Sequence, residues 1–82
     1  MSENRIAVLS IIAEDRAKSP EINSVLALFG DYVVGRMGIP YKEKDVFVIC
    51  VVVDAPVEII NNITGKLGMI EKVTAKTVTS KK

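Results

Sequence analysis

Two stretches of this chain, Arg5–Ala13 (RIAVLSIIA) and Val46–Val53 (VFVICVVV), are apolar at almost every position. A strand with one face on a core and the other in water alternates apolar and polar residues. A continuous run instead marks a strand covered on both sides. β-Branched residues dominate both runs, so both read as strands from the middle of a sheet. The second, bracketed by Asp45 and Asp54, is far too short to span a bilayer. Cover for two faces is therefore demanded of a chain of only 82 residues, enough for a single domain over residues 1–82.

Around these runs, strand and helix patterns alternate. Glu14–Lys18 is a charged loop. Ser19-Pro20-Glu21 reads as a helix start, with a hydroxyl N-cap, proline at the first helical position and an acid in the first turn. Ile22, Val25, Leu26 and Phe29 then share one helical face, and Gly30 ends it. Tyr32–Tyr41 reads as a second strand, interrupted by Gly35 and Gly38 and closed by Pro40, and Lys42–Asp45 is a tight polar connection. Asp54 and Pro56 open a second helix with Ile59, Ile60, Ile63 and Leu67 on one side. Gly68 ends that helix, and Met69 and Ile70 tuck beneath the turn. Val73–Thr79 is the last strand, and Ser80-Lys81-Lys82 a solvated tail.

The order is βαββαβ, with one plan repeated in each half. Parallel strands joined by a right-handed crossover leave a gap that the other half fills. The predicted fold is α+β: a ferredoxin-like two-layer sandwich with antiparallel sheet order 4-1-3-2. The apolar runs take the centre, and the strands carrying glycines, Arg36 and Lys76 take the edges.

Both helices of such a fold lie on one face of the sheet. On the first strand Ala7, Leu9 and Ile11 alternate with Ile6, Val8 and Ile12. On the third, Phe47, Ile49, Val51 and Val53 alternate with Val46, Val48, Cys50 and Val52. Whichever set meets the helices, an apolar set is left over. Burial of each such side chain contributes roughly 1.5–3 kcal/mol, and monomers seldom leave a patch of this kind wet. The expectation is a homo-oligomer, dimer or tetramer, that covers this face.

Composition removes most chemistry. There is no His, and Cys50 is alone, which removes most metal-binding arrangements and any disulfide within the chain. Lys+Arg 11 against Asp+Glu 10 leaves a net charge of +1, without the footprint of a nucleic-acid binder. RNA readers of this topology need stacking aromatics on the central strands, where only Phe47 occurs. An acylphosphatase-like site needs an arginine in a glycine-rich first loop, and Arg16 sits in a loop without glycine. No nucleophile–base pair stands out, so the chain reads as a non-enzyme with no cofactor and no metal. The beginning of the sequence carries no signal-peptide pattern, and a cytoplasmic, non-membrane protein is expected.

Gly35-Arg36-Met37-Gly38 is the most unusual stretch. Two glycines three residues apart in a strand suggest a bulge or a close backbone approach, and Arg36 between them offers a guanidinium suited to carboxylate or phosphate. The bland alternative is a bent edge strand whose arginine is solvated or paired with an acid. Gly65-Lys66-Leu67-Gly68 lacks the remainder of a phosphate loop and reads as a helix end. Glu14-Asp15-Arg16, at the mouth of the first helix, could reach a cation or an amino group, but a solvated loop is the plainer reading.

Gly35-Arg36-Met37-Gly38-Ile39-Pro40-Tyr41, together with Thr64-Gly65-Lys66-Leu67-Gly68, resembles the small regulators of the iron-only hydrogenase system, a stand-alone ACT-like group. The resemblance runs from Arg5-Ile6 through Asp15-Arg16 and Gly30-Asp31 to the Thr79–Lys81 region. It implies an ACT-type ferredoxin-like fold, close to the C-terminal domain of nickel-responsive repressors. It also implies homo-oligomers and a regulatory or accessory role beside hydrogenase maturation. Amino-acid-binding ACT domains place an Asp and a glycine in the first strand-to-helix loop; here Asp15 is present and Arg16–Ser19 holds no glycine. The histidines of the nickel site are absent.

The leading expectation is a regulatory module that binds a small anionic ligand or a maturation partner protein at subunit boundaries. Gly35, Arg36 and Gly38 are the expected pocket residues, with Asp15 and Arg16 from the first loop. A maturation scaffold without a small-molecule site is the alternative.

Overall fold

The computed structural model describes residues 3–81, so Met1, Ser2 and the tail residue Lys82 lie outside the described residues. Four strands, β1 (Asn4–Ala13), β2 (Val33–Tyr41), β3 (Val46–Pro56) and β4 (Val73–Thr79), alternate with two helices, α1 (Ser19–Leu28) and α2 (Val57–Gly68). Single turns of 3-10 helix precede α1 (Arg16–Lys18), precede β2 (Gly30–Tyr32) and join β2 to β3 (Lys42–Lys44). The sheet is antiparallel in the order β2-β3-β1-β4, the expected order seen from the other edge. It is an α+β, ferredoxin-like two-layer fold.

The core lies between the sheet and the helices. Ala7, Leu9, Ile11 and Ala13 of β1 and Ile49, Val51, Val53 and Ala55 of β3 are buried there. They meet Ile22 and Leu26 of α1 and Ile60, Ile63 and Leu67 of α2. The period of two on the strands and the three-to-four spacing on the helices are thus satisfied together. α2 is also fastened to β4 by polar contact: Thr64 Oγ1 donates to the Ile60 carbonyl at 2.8 Å and lies 2.6 Å from Thr77 Oγ1.

Several boundaries differ from the sequence reading. β3 continues through Asp54, Ala55 and Pro56, which pair with Ile6, Arg5 and Asn4 of β1. Asp54 is therefore a strand residue, and α2 begins after it without a side-chain cap. The buried period of two, Ile49-Val51-Val53-Ala55, carries the strand forward. At α1, Ser19 is the first helical residue and not the cap. Asp15 Oδ1 accepts from the Ala17 N–H at 2.9 Å, the Lys18 N–H donates to the Asp15 carbonyl, and the Ser19 N–H donates to the Arg16 carbonyl. The preceding turn thereby runs directly into α1, and Ser19 enters the helix with its own N–H already bonded.

Gly30 opens a new turn after Phe29, and Gly68 is the last residue of α2. Lys72, at φ 65°, takes the left-handed conformation in the connection to β4 and accepts from the Glu14 N–H at 2.8 Å. Ile70 packs against the core, but Met69 is exposed and does not tuck under the turn. Ser80 is not a free tail residue: its N–H donates to the Ile6 carbonyl at 2.8 Å and its Oγ accepts from the Ile6 N–H.

The opposite face of the sheet carries no helix. There Ile6, Val8 and Ile12 of β1 lie beside Val48, Cys50 and Val52 of β3, with Met37, Ile39 and Tyr41 of β2 and Val78 of β4 completing the patch. Val78 is 71% exposed, Met37 58% and Ile12 44%. Its polar members include Ser10, Lys76 and Thr74, toward the β4 side.

Candidate functional site

β2 is the strand that the helix layer fails to cover. Val33 is half-buried, and every residue from Val34 to Tyr41 is exposed. Its register against β3 slips between Val33 and Gly35, which pair with Val53 and Val52, so Val34 is the extra residue of a bulge. Beyond the bulge, Gly35, Met37, Ile39 and Tyr41 share a face with Val52, Cys50, Val48 and Val46 on the open side. Arg36, Gly38 and Pro40 lie opposite Val51, Ile49 and Phe47 on the helix side.

On that helix side, two clefts open between α1 and β2. The larger, of about 580 Å³, is walled by Arg16, Ala17 and Ser19 from the start of α1. Gly38 and Pro40 of β2, Phe47 of β3 and Asp45 of the turn line its other side. The smaller, of about 340 Å³, lies between Asn23 and Ala27 of α1 and Val33 and Arg36 of β2. Asn23 is one helical turn beyond Ser19, and Arg36 is two residues from Gly38 on the same face, so the clefts adjoin along one trough. In the smaller one Arg36 Nη2 donates to Asn23 Oδ1 at 3.0 Å.

Both glycine expectations are met, by different residues. Gly35 sits at the bulge with open space around it. Gly38 is the close approach, where a Cβ would stand 3.3 Å from Cε1 and Cζ of Phe47. Arg36 pairs with the Asn23 amide rather than with an acid.

The five expected pocket residues do not converge. Arg16 and Gly38 share the larger cleft, and Arg36 belongs to the smaller. Asp15 spends its carboxylate on the Ala17 N–H, and Gly35 lies on the other face of the sheet. Phe47, Pro40 and Asp45 were not expected. The signal for Phe47 was available, since alternation places Gly38 and Pro40 on the face of β2 that its ring adjoins.

Arg16 and Asp45 line the cleft with no hydrogen bond or ion pair for either side chain among the described residues. Lys18 Nζ, by contrast, contacts Glu21 Oε1 at 3.5 Å. Among the described residues no three His, Cys, Asp or Glu side chains cluster as metal ligands, and no helix is long and apolar enough to cross a membrane. The cleft therefore brings an arginine, an aspartate and an apolar wall together.

A family model described as "TM1266-like: Iron-only hydrogenase system regulator, putative" matches residues 5–77. No curated protein matches the chain. Among solved structures, the uncharacterized protein TM1266 from Thermotoga maritima superposes with a TM-score of 0.90 at 35% sequence identity, covering 96% of this chain and 100% of that one. The chain belongs to the TM1266-like family of iron-only hydrogenase system regulators.

Proposed function

We propose that this protein is a non-catalytic regulatory module of the iron-only hydrogenase system. In this reading it works as a homo-oligomer whose copies cover each other's open sheet faces, and it responds to a small anionic ligand or to a maturation protein held beside β2. The hydrogenase context is that of its family.

One observation supports this reading above the rest, the apolar open face. Its central strands present Ile6, Val8, Ile12, Val48 and Val52, and its edges add Met37, Ile39 and Val78. Nothing in the chain's helix layer covers these side chains. A twisted sheet packs on a second copy of itself at a small angle, and a two-fold axis makes one patch its own complement.

Light scattering at low micromolar concentration tests the assembly. A mass of two or four copies is expected, and a stable 8.9-kDa particle overturns it. The regulatory reading predicts that deleting the gene changes hydrogenase activity or expression while the purified chain turns over no substrate.

A further inference from the structure

We propose that the cleft between the Arg16–Ser19 turn and β2 binds a small flat organic ring carrying one anionic group and a hydrogen-bond donor. This deepens the regulatory reading and rests on it for its purpose, since a regulator of this kind needs an effector.

The anionic group follows from Arg16. This residue lines the cleft, and its guanidinium has no partner among the described residues. The neighbouring charges are occupied: Asp15 accepts from the Ala17 N–H, and Lys18 contacts Glu21. A planar fork of five N–H donors takes carboxylate or phosphate two bonds at a time.

The flat ring follows from the wall opposite. Phe47 lines the cleft beside Pro40, and its ring edge lies where a Cβ on residue 38 would stand at 3.3 Å. Any larger residue at 38 would push the ring or fill the space, so the glycine keeps an aromatic wall against which a flat ring can stack.

The donor follows from Asp45. That residue lines the same cleft, and its carboxylate does not pair with Arg16. An occupant with an amine or amide would satisfy it, whereas a second anionic group placed against it would be repelled. The volume of about 580 Å³ falls within the range of small-molecule sites. Arg36 is excluded because its guanidinium is engaged with Asn23 in the adjoining cleft.

The test is a titration of the full isotope-labelled chain, followed by backbone amide chemical shifts. Anthranilate combines ring, carboxylate and amine. Benzoate lacks the amine, aniline lacks the anion, inorganic phosphate lacks the ring, and AMP supplies the anion as phosphate. Anthranilate or AMP should saturably shift the amides of Arg16, Ala17 and Gly38, and the one that binds tighter identifies carboxylate or phosphate as the source. Arg16→Ala should weaken that binding by roughly tenfold or more, the scale of a charge-assisted bond. Arg36→Ala should leave it unchanged.

No saturation by either compound at millimolar concentration overturns the site, as does an Arg16→Ala variant that binds as the parent does. Aniline or inorganic phosphate binding as tightly as anthranilate overturns the ring-plus-anion class, and equally tight benzoate overturns the role of Asp45. Sizing the ligand-free chain reads the oligomer separately, so failure of one claim is not mistaken for failure of the other.

Discussion

Arg36 Nη2 meets Asn23 Oδ1 at 3.0 Å, reaching from the edge strand to the first helix across a trough that apolar side chains do not fill. Both residues are exposed, so water competes for each group and the bond contributes at the low end of the usual range. Arg36→Ala and Asn23→Ala should each lower stability by about 0.5–1 kcal/mol, with a coupling of about 0.5 kcal/mol in the double variant. Urea denaturation of the four proteins measures it, and additive losses would show that the pair does not hold β2.

The open face makes a prediction about assembly. Ile12 and Val52 sit on the two central strands, away from the core-facing positions. Ile12→Lys or Val52→Lys places a charge in the proposed contact without touching the core. Each should shift the assembly to an 8.9-kDa species while the circular dichroism spectrum stays the same. An unchanged mass would move the subunit contact elsewhere, to the edges or the helices.

Gly35 and Gly38 should respond differently to the same substitution. A Cβ at Gly35 meets nothing within 4 Å, and no glycine in the chain has a positive φ. Gly35→Ala should be neutral or stabilising by up to about 1 kcal/mol, through loss of unfolded-state freedom. Gly38→Ala forces the Phe47 ring to move by a few tenths of an ångström, and Gly38→Val by more, so Gly38→Val should lower the melting temperature clearly. Equal melting temperatures for the valine variant and the parent would show the ring to be free to swing away.

Gly65 lies inside α2 with open space at its Cβ position. Gly65→Ala should stabilise the fold by about 0.5–1 kcal/mol, because alanine loses less backbone freedom in a helix. A differential scanning measurement that shows a decrease would indicate a contact made only in the assembly.

Ile63, fully buried between α2 and the sheet, probes the core. Ile63→Ala should cost about 2–5 kcal/mol, a large part of the stability of so small a domain. Loss of less than about 1 kcal/mol in urea would mean that α2 can collapse into the gap.

The architecture is legible because two continuous apolar runs mark the central strands, while Ile60, Ile63 and Leu67 mark a helix with one buried face. Duplication of the plan in the two halves points to the strand order, but the runs themselves do not say which of their faces meets the helices. The edges of elements were less legible because they depend on a partner. Asp54 reads locally as a helix start, yet it pairs with Ile6 because β1 begins at Asn4. Ser19 reads as an N-cap, but a turn founded on Asp15 starts the chain coiling earlier and makes Ser19 the first helical residue.

The expected grouping of residues is brought together only in part. Arg16 and Gly38 were singled out for their chemistry and do share a cleft. The grouping failed at Gly35 and Arg36, because a bulge and a simple alternation send them to opposite faces. Which cleft Arg36 enters depends on how α1 lies across the sheet and so on where Asn23 comes, and no local pattern encodes that.

β2 is a single layer of backbone with different tenants on its front and back. Gly38 and Pro40 look into the cleft, while Met37 and Ile39, the residues between and beside them, belong to the greasy exterior sheet surface. With its side chains from Val34 onward unpacked, this strand is where the domain should breathe first, and amide exchange should be fastest along it. Whatever stiffens one side of that ribbon stiffens the other, which would give the proposed assembly a physical route for passing news of a bound ligand from one copy to the next.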